Sequence, residues 1–386
     1  MGETRIRQRS RFEDAYVGAS GALFSFAMGL SAVAIPLFAL NSGLTAGQVG
    51  VLIAVSACAQ LSVRTVMGSL MRRVADKHFV SAAGVLMALS CVSLLLSSSV
   101  WVFVVSQLAQ GAARGVFWTG VQTHVVRTST SAVAAIAQIN LVSGIGQIVG
   151  PFLAGPIIEH YSLERALACA TVVGVLVVLP SSLMVRLEPM RPKRKGRSSA
   201  VAVWRQPGVG LASWAGAVAG SWRAMMNSYV PVLLAQAGHG AAAIGVVSGI
   251  ANATSIGGSA AAGWIKMGRL RAFLVWGIVT SGVGLALFGI LAGDLVLATV
   301  ALAVAGVGAG LLQTAGPAVA SETVAPEERG EAIATAGTYR AAALLLAPLG
   351  VAGLVTVVAT SAGIAVLGVA MAGPVLLLRG RKGLID

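Results

Sequence analysis

A chain of 386 residues that is 56% hydrophobic and 10% charged, with a mean hydropathy of +0.86, is too apolar to be a water-soluble domain of its length. The formal charge of +14 and pI of 11.0 would suggest a nucleic-acid partner if the basic residues shared one face of a soluble fold, but they fall between apolar runs, which argues against it. Cys58, Cys91 and Cys169 sit in separate apolar runs without metal or disulfide spacing, so small-residue packing is their expected role.

In chain order, Arg5, Arg7, Arg9 and Arg11 precede an apolar run over 17–40 that resembles a signal peptide with Ala32 to Ala34 as its cleavage site. The run is longer than the roughly 7–15 residues of a signal core and many more follow, so it is a first membrane span. Apolar windows of roughly 20 residues, the length that crosses a bilayer as a helix, recur at 46–70, 79–97, 100–124, 133–155 and 166–187. A polar, basic stretch from Arg186 to Arg205 then acts as a linker, and further windows follow at 208–235, 241–265, 272–292, 295–319, 331–357 and 361–378. The expectation is an all-α integral membrane protein of twelve helices: a six-helix bundle over 1–187, a linker over 188–207 and a second six-helix bundle over 208–386.

Short basic loops stay in the cytoplasm. On this allocation 22 of the 27 Lys and Arg lie on one side, Arg165 lies on the other, and Arg64, Arg114, Arg223 and Arg340 lie inside spans. Both termini are therefore expected in the cytoplasm of a multi-pass cell-membrane protein, which needs an even number of crossings. An offset of 197 residues relates Pro151 to Pro348, Arg72 to Arg269 and Gly111 to Gly308, and implies two repeats of six spans with a binding site at the repeat interface.

The fifth window breaks helix rules: Gly144-Ile-Gly-Gln-Ile-Val-Gly-Pro-Phe-Leu-Ala-Gly155 holds glycines and a proline that membrane helices tolerate better than soluble ones. Gly146 and Gly150 share one face and invite close approach of another helix, while Pro151 removes the amide that would bond to the Gln147 carbonyl and predicts a bend. Gly146, Gly150, Pro151, Ala154 and Gly155 resemble the g-x-x-x-G-P-x-x-G-G "antiporter" signature of the major facilitator superfamily, with Ala154 in place of one glycine. The loop after span two, Gly68-Ser-Leu-Met-Arg72-Arg73-Val-Ala-Asp76-Lys77, is similar to that family's G-x-L-x-D-R-x-G-R-[RK]. Gly68 and Arg73 match, Arg72 replaces the aspartate, and Asp76 stands where an arginine is usual. In span four R-x-x-Q-G reads Gln107-Leu-Ala-Gln110-Gly111, with Arg114 about one turn further on, and Pro326-Glu-Glu-Arg-Gly330 resembles the turn before span eleven. The resemblance implies a secondary transporter whose halves rock about a central cavity, and its fifth-helix signature implies export. It gives Gly146, Gly150, Pro151, Gly155, Gly68, Arg72, Arg73 and Asp76 conformational or gating roles.

A charge in hydrocarbon costs several kcal/mol, so intramembrane arginines are candidate site residues. Arg223, with Asn227 on the same face of span seven, ranks first, followed by Arg114 and Arg340; Gln107, Gln110, Arg114 and Trp118 form one stripe on span four. Arg64 lies close enough to a helix end to snorkel. No Asp, Glu or His falls at the centre of a window, and arginine does not titrate in practice. The pathway is thus expected to favour anionic or neutral hydrogen-bonding solutes, coupled through an end carboxylate (Asp14 or Asp76) or not to protons at all. With no Gly-x-x-x-x-Gly-Lys-[Ser/Thr] run, nucleotide energy is not expected.

The expected function is secondary transport of a small amphipathic solute, export favoured, by a monomer in the lipid bilayer. It needs no cofactor, and an ion or proton gradient is left open as the driving force. Import of an organic anion, a membrane-embedded enzyme and a non-transporting sensor remain as alternatives. Against the enzyme, no Ser/His or His/Asp/Glu grouping lies within reach of a membrane interface.

Overall fold

A computed structural model describes residues 2–129, 132–189, 207–265, 269–325 and 328–378. Most of the 188–207 linker, Lys266, Pro326 and the C-terminal Arg379, Arg381 and Lys382 lie outside the described residues. Every regular element among the described residues is a helix: α1 (Gly2–Asn41), α2 (Ala46–Leu70), α3 (Asp76–Leu96), α4 (Val100–Thr128), α5 (Ala132–His160), α6 (Leu163–Leu176), α7 (Val178–Leu183), α8 (Pro207–Asn227), α9 (Tyr229–Gln236), α10 (Ala241–Ala262), α11 (Leu270–Leu291), α12 (Leu295–Glu322), α13 (Arg329–Leu354) and α14 (Thr360–Leu378).

These elements follow the twelve apolar windows, two of which are divided. Span six breaks between α6 and α7, where Pro180 has no amide to offer the carbonyl of Leu176. Span seven breaks at Ser228, whose backbone leaves the helical region (φ −129, ψ −80), and Pro231 withholds an amide from the Asn227 carbonyl. Among the described residues ten spans are long and apolar enough to cross a bilayer by length and composition; the shorter apolar helix at Thr360–Val375 and the α8–α9 pair occupy the other two windows. Outward apolar side chains such as Trp101 and Ile290, 78% and 70% exposed, suit hydrocarbon rather than water. Span one starts earlier than its apolar window: its membrane stretch begins at Phe12 and takes in Glu13, which is buried rather than preceding the span.

Contacts divide the described chain into two compact units, the first running to Ser42 and resuming at Val55, the second holding Gly43–Ala54 and everything from Pro207 onward. Each unit repeats one internal pairing. In the first, α1 packs on α5, α3 on α4 and α3 on α6; in the second, α8 packs on α13, α11 on α12 and α11 on α14. The turns after spans one and seven each contain a glycine with positive φ, Gly43 (86°) and Gly238 (87°), the left-handed conformation that closes a helix without a Cβ clash. The match between halves is closest at a different register from the one the 197-residue offset gives. A Cβ on Gly111 of α4 would strike the Ser56 carbonyl of α2, and the glycine whose Cβ would strike the Ser255 carbonyl of α10 is Gly310; Gly308 faces Gly277 of α11. Close helix approach, rather than chain offset, defines the equivalence.

Glycine also sets the contact of α1 with α5. A Cβ on Gly150 would lie 2.6 Å from the Cα of Gly29 and 2.7 Å from the Phe26 carbonyl, and one on Gly29 would lie 2.7 Å from Cδ of Pro151. α5 runs unbroken through Pro151 and Pro156.

Local signals start several helices. Thr45 and Gln48 form a capping box ahead of α2, with Thr45 N donating to Gln48 Oε1 (2.8 Å) and Gln48 N to Thr45 Oγ1 (3.3 Å). Asp294 caps α12 by accepting from Val296 N (2.9 Å) and Leu297 N (3.0 Å). Asp294→Ala is expected to cost about 1 kcal/mol of stability, read as a lowered thermal midpoint, while Asp294→Asn retains most of it. An unchanged midpoint in the alanine variant would remove the cap from the account.

Candidate functional site

In the first unit four of the sequence-derived candidates lie along α4. Gln107, Gln110 and Arg114 are buried, and Trp118 is half-buried with its ring edge-on to Phe117 at 5.4 Å. Phe117 in turn stacks on Phe24 of α1 at 3.9 Å, which fixes this part of α4 against α1. Arg114 Nη2 donates to Gln110 Oε1 (2.7 Å), and Gln110 Nε2 donates to Ser31 Oγ of α1 (3.1 Å). Gln107 has no exposed surface, and neither atom of its amide finds a protein partner; Arg114 Nε is in the same condition. Buried polar atoms without partners are costly, on the order of 1–3 kcal/mol each, and native proteins keep few of them. The stripe thus holds one cation, one bonded amide and one amide without a protein partner.

In the second unit two of the other three candidates, Arg223 and Arg340, bond to side chains of neighbouring helices. Arg223 of α8 donates from Nη1 to Asn252 Oδ1 of α10 (2.9 Å), and its guanidinium lies 5.6 Å from the Trp222 ring centroid. Asn252 Nδ2 donates to the Ser248 carbonyl (2.9 Å). Arg340 of α13 donates from Nη2 to Gln313 Oε1 of α12 (2.8 Å), and Gln313 Nε2 reaches Ser255 Oγ of α10 (3.4 Å). Asn227 is buried at the last residue of α8, beside the break at Ser228. The seven candidates thus form two groups, one within each unit.

Ser31, Asn252, Ser255 and Gln313 enter these networks although the sequence reading does not single them out. Asn252 and Ser255 stand three residues apart on one face of an apolar helix, a signal that could have found them.

Of the conformational candidates, Gly146 and Gly150 line the contact with α1, and Ala154 and Gly155 are buried near it on α5. Gly68 is exposed, with nothing within 4 Å of an added Cβ, and Arg72 and Arg73 are exposed in the turn after α2. Asp76 opens α3, is buried and accepts from Arg127 Nη1 (3.2 Å), while Arg64 is exposed on α2. A cleft of about 290 Å³ at the ends of α9, α11 and α14, lined by Gln236, Ile290, Thr360 and Ser361 among others, contains none of the candidates.

The family model of the Major Facilitator Superfamily matches residues 17–348. The chain belongs to the Major Facilitator Superfamily. Solved superfamily transporters share the fold. The nucleoside transporter NupG aligns with a TM-score of 0.74 at 12% identity, over 95% of this chain and 97% of its own. A POT family transporter in complex with a thioalcohol-conjugated peptide aligns at 0.75 and 12%, over 95% of each chain. A bacterial homolog of the human lysosomal transporter Spinster, inward-facing and unoccupied, aligns at 0.67 and 14%, over 98% of this chain and 96% of its own. No curated protein sequence matches this one. At these identities the solved structures establish the fold of this superfamily member and leave its solute to its own residues.

Proposed function

We propose that this protein is a secondary active transporter that moves a small amphipathic solute with an anionic or hydrogen-bonding head across the cytoplasmic membrane by alternating access, and that it exports that solute. The observation that carries the reading is the α4 stripe, where buried Arg114 donates to the neutral amide of Gln110 and buried Gln107 presents both a donor and an acceptor without protein partners. A carboxylate or similar head would accept from Arg114 Nε and Gln107 Nε2, and a hydroxyl or amine on the same solute would donate to Gln107 Oε1. Within the second unit, Arg223 and Arg340 are each bonded to an amide oxygen, a second group of cationic donors on membrane helices. The α1–α5 glycine contact and its likeness to the exporter signature support outward movement. The distribution of Lys and Arg supports cytoplasmic termini. The protein is expected to work as a monomer without nucleotide, driven by an ion gradient. Import of an organic anion is the second reading, favoured by the same arginines.

Intact cells and everted vesicles, given an imposed proton gradient and a panel of labelled solutes, decide the direction. Accumulation in everted vesicles is expected for an exporter, the opposite pattern gives the importer, and no flux in either overturns transport. Arg223→Ala is expected to weaken binding of the transported solute by about tenfold, the scale of one lost charge-assisted hydrogen bond. Equilibrium binding to reconstituted protein checks this, and an unchanged affinity removes Arg223 from the site.

A further inference from the structure

One buried ionisable cluster plays no part in the solute site. His124, near the end of α4, has no exposed surface, and its two ring nitrogens face carboxylates from two other helices. Nε2 lies 2.5 Å from Glu13 Oε1 of α1, and Nδ1 lies 3.3 Å from Asp76 Oδ1 of α3, without the alignment of a full hydrogen bond. Both carboxylates are buried as well, Glu13 6% and Asp76 2% exposed. Glu13 also accepts the Val185 amide, at 3.1 and 3.0 Å to its two oxygens, which ties in the chain just after α7.

The charged groups around this ring come from every element packed there. Arg127, one turn along α4, donates Nη1 to Asp76 Oδ2 (3.2 Å) and Nη2 to the Glu188 carbonyl (2.6 Å). Lys77 of α3 donates Nζ to the carbonyls of Ser182 and Met184 (3.2 Å each), capping the end of α7. The first half of α5 has no ionisable side chain, and Arg72 and Arg73 after α2 are exposed.

A neutral imidazole carries one N–H and one lone pair. Set between two carboxylates, its bare nitrogen would face an oxygen that can only accept. Only the imidazolium, with a proton on each nitrogen, suits both neighbours. With it, the ring and Arg127 balance Glu13 and Asp76; without it, one partly exposed arginine on Asp76 is left to offset two buried carboxylates.

We propose that Glu13, His124 and Asp76 form a proton-binding site, in which the proton on the His124 ring ties the ends of α1, α3 and α4 to the chain after α7, and its release to water loosens them. The ligand is the proton, and the element it biases is this end of the first unit, where four chain segments meet through three side chains. The site lies at a helix end, apart from the α4 stripe, so a proton can bind here without occupying the solute site.

The test needs no transported solute, so its failure is distinct from failure of the transport reading. Amide exchange is followed in purified full-length protein in lipid nanodiscs between about pH 6 and about pH 9, corrected for the intrinsic rise in exchange with pH. In the wild type the segment containing Val185 is expected to lose protection by about tenfold across this range, and His124→Gln, which cannot take up the proton, is expected to abolish that step. His78→Gln, on an exposed histidine, should leave it intact. A wild type without the step, or a full step in His124→Gln, overturns the proposal. As a check independent of that variant's folding, 15N-labelled imidazole spectra of the wild type are assigned by elimination with His78→Gln, His160→Gln and His239→Gln. The remaining ring is expected to pass from doubly to singly protonated within the range, and a ring that does not change overturns the proposal.

Discussion

Gly150→Leu is expected to leave little folded protein in the membrane, and what remains should melt several degrees below wild type. An added Cβ meets the Cα of Gly29 and the Phe26 carbonyl at under 3 Å, so the obstacle is backbone, which cannot turn aside as a side chain can. Overpacking a well-packed contact typically costs about 1–3 kcal/mol, and here a four-carbon side chain must force α1 and α5 apart along their length. Gly29→Leu should behave alike, since its Cβ meets Pro151 Cδ and the Gly150 Cα. Gly68→Leu, with open space around its Cβ, is the control and should fold normally. The fraction eluting as monodisperse protein and its thermal midpoint are the readouts. A normally folded Gly150→Leu would mean that this contact is looser than the structure shows.

Arg114→Met is expected to separate function from stability. The arginine is buried, and the hydrogen bond that holds it, donated to Gln110 Oε1, is with a neutral group. Replacing a poorly compensated buried ion by an apolar residue of similar length is often stabilising, by about 1–4 kcal/mol, so the thermal midpoint should rise. Flux of the solute found in vesicle assays should meanwhile fall by roughly tenfold to a hundredfold, since a charged hydrogen bond is worth about 1.5–3 kcal/mol. Gln107→Leu should move both quantities in the same directions, because it removes orphaned polar atoms while deleting the proposed contact. A variant that loses stability and keeps its flux would make Arg114 a structural strut instead.

The span pattern was legible because each crossing must be a helix about 20 apolar residues long, so composition alone marks its place. The two breaks follow from Pro180 and Pro231, visible in the sequence, although only the structure shows them dividing spans six and seven. The α1–α5 contact was half legible: Gly146 and Gly150 announce a close approach, but nothing in a linear pattern says that Gly29 is what approaches. Repeat matching by a constant offset chose Gly308, whereas packing chooses Gly310, because loop lengths differ between halves while helix contacts do not.

The polar networks were legible on one side only. Arginine, glutamine and asparagine inside apolar runs stand out, so Arg223 and Arg340 could be named; their partners Asn252 and Gln313 belong to helices whose neighbours only the fold decides. His124 and Glu13 escaped for another reason. Each lies near a span end, where a charge is expected to meet water, and burial of both depends on the chain returning α4 to α1 across a sequence separation of 111.

The most direct measurement of the central claim, that solute enters the α4 stripe beside Arg114 from either side of the membrane in turn, uses Gln107→Cys in a chain whose three native cysteines are replaced. Anionic and cationic methanethiosulfonate reagents of similar size are applied to right-side-out and to everted vesicles. The account predicts modification from both sides, faster with the anionic reagent, and slowed by the transported solute. Modification from one side only, or equal rates with both reagents and no protection by solute, would contradict it.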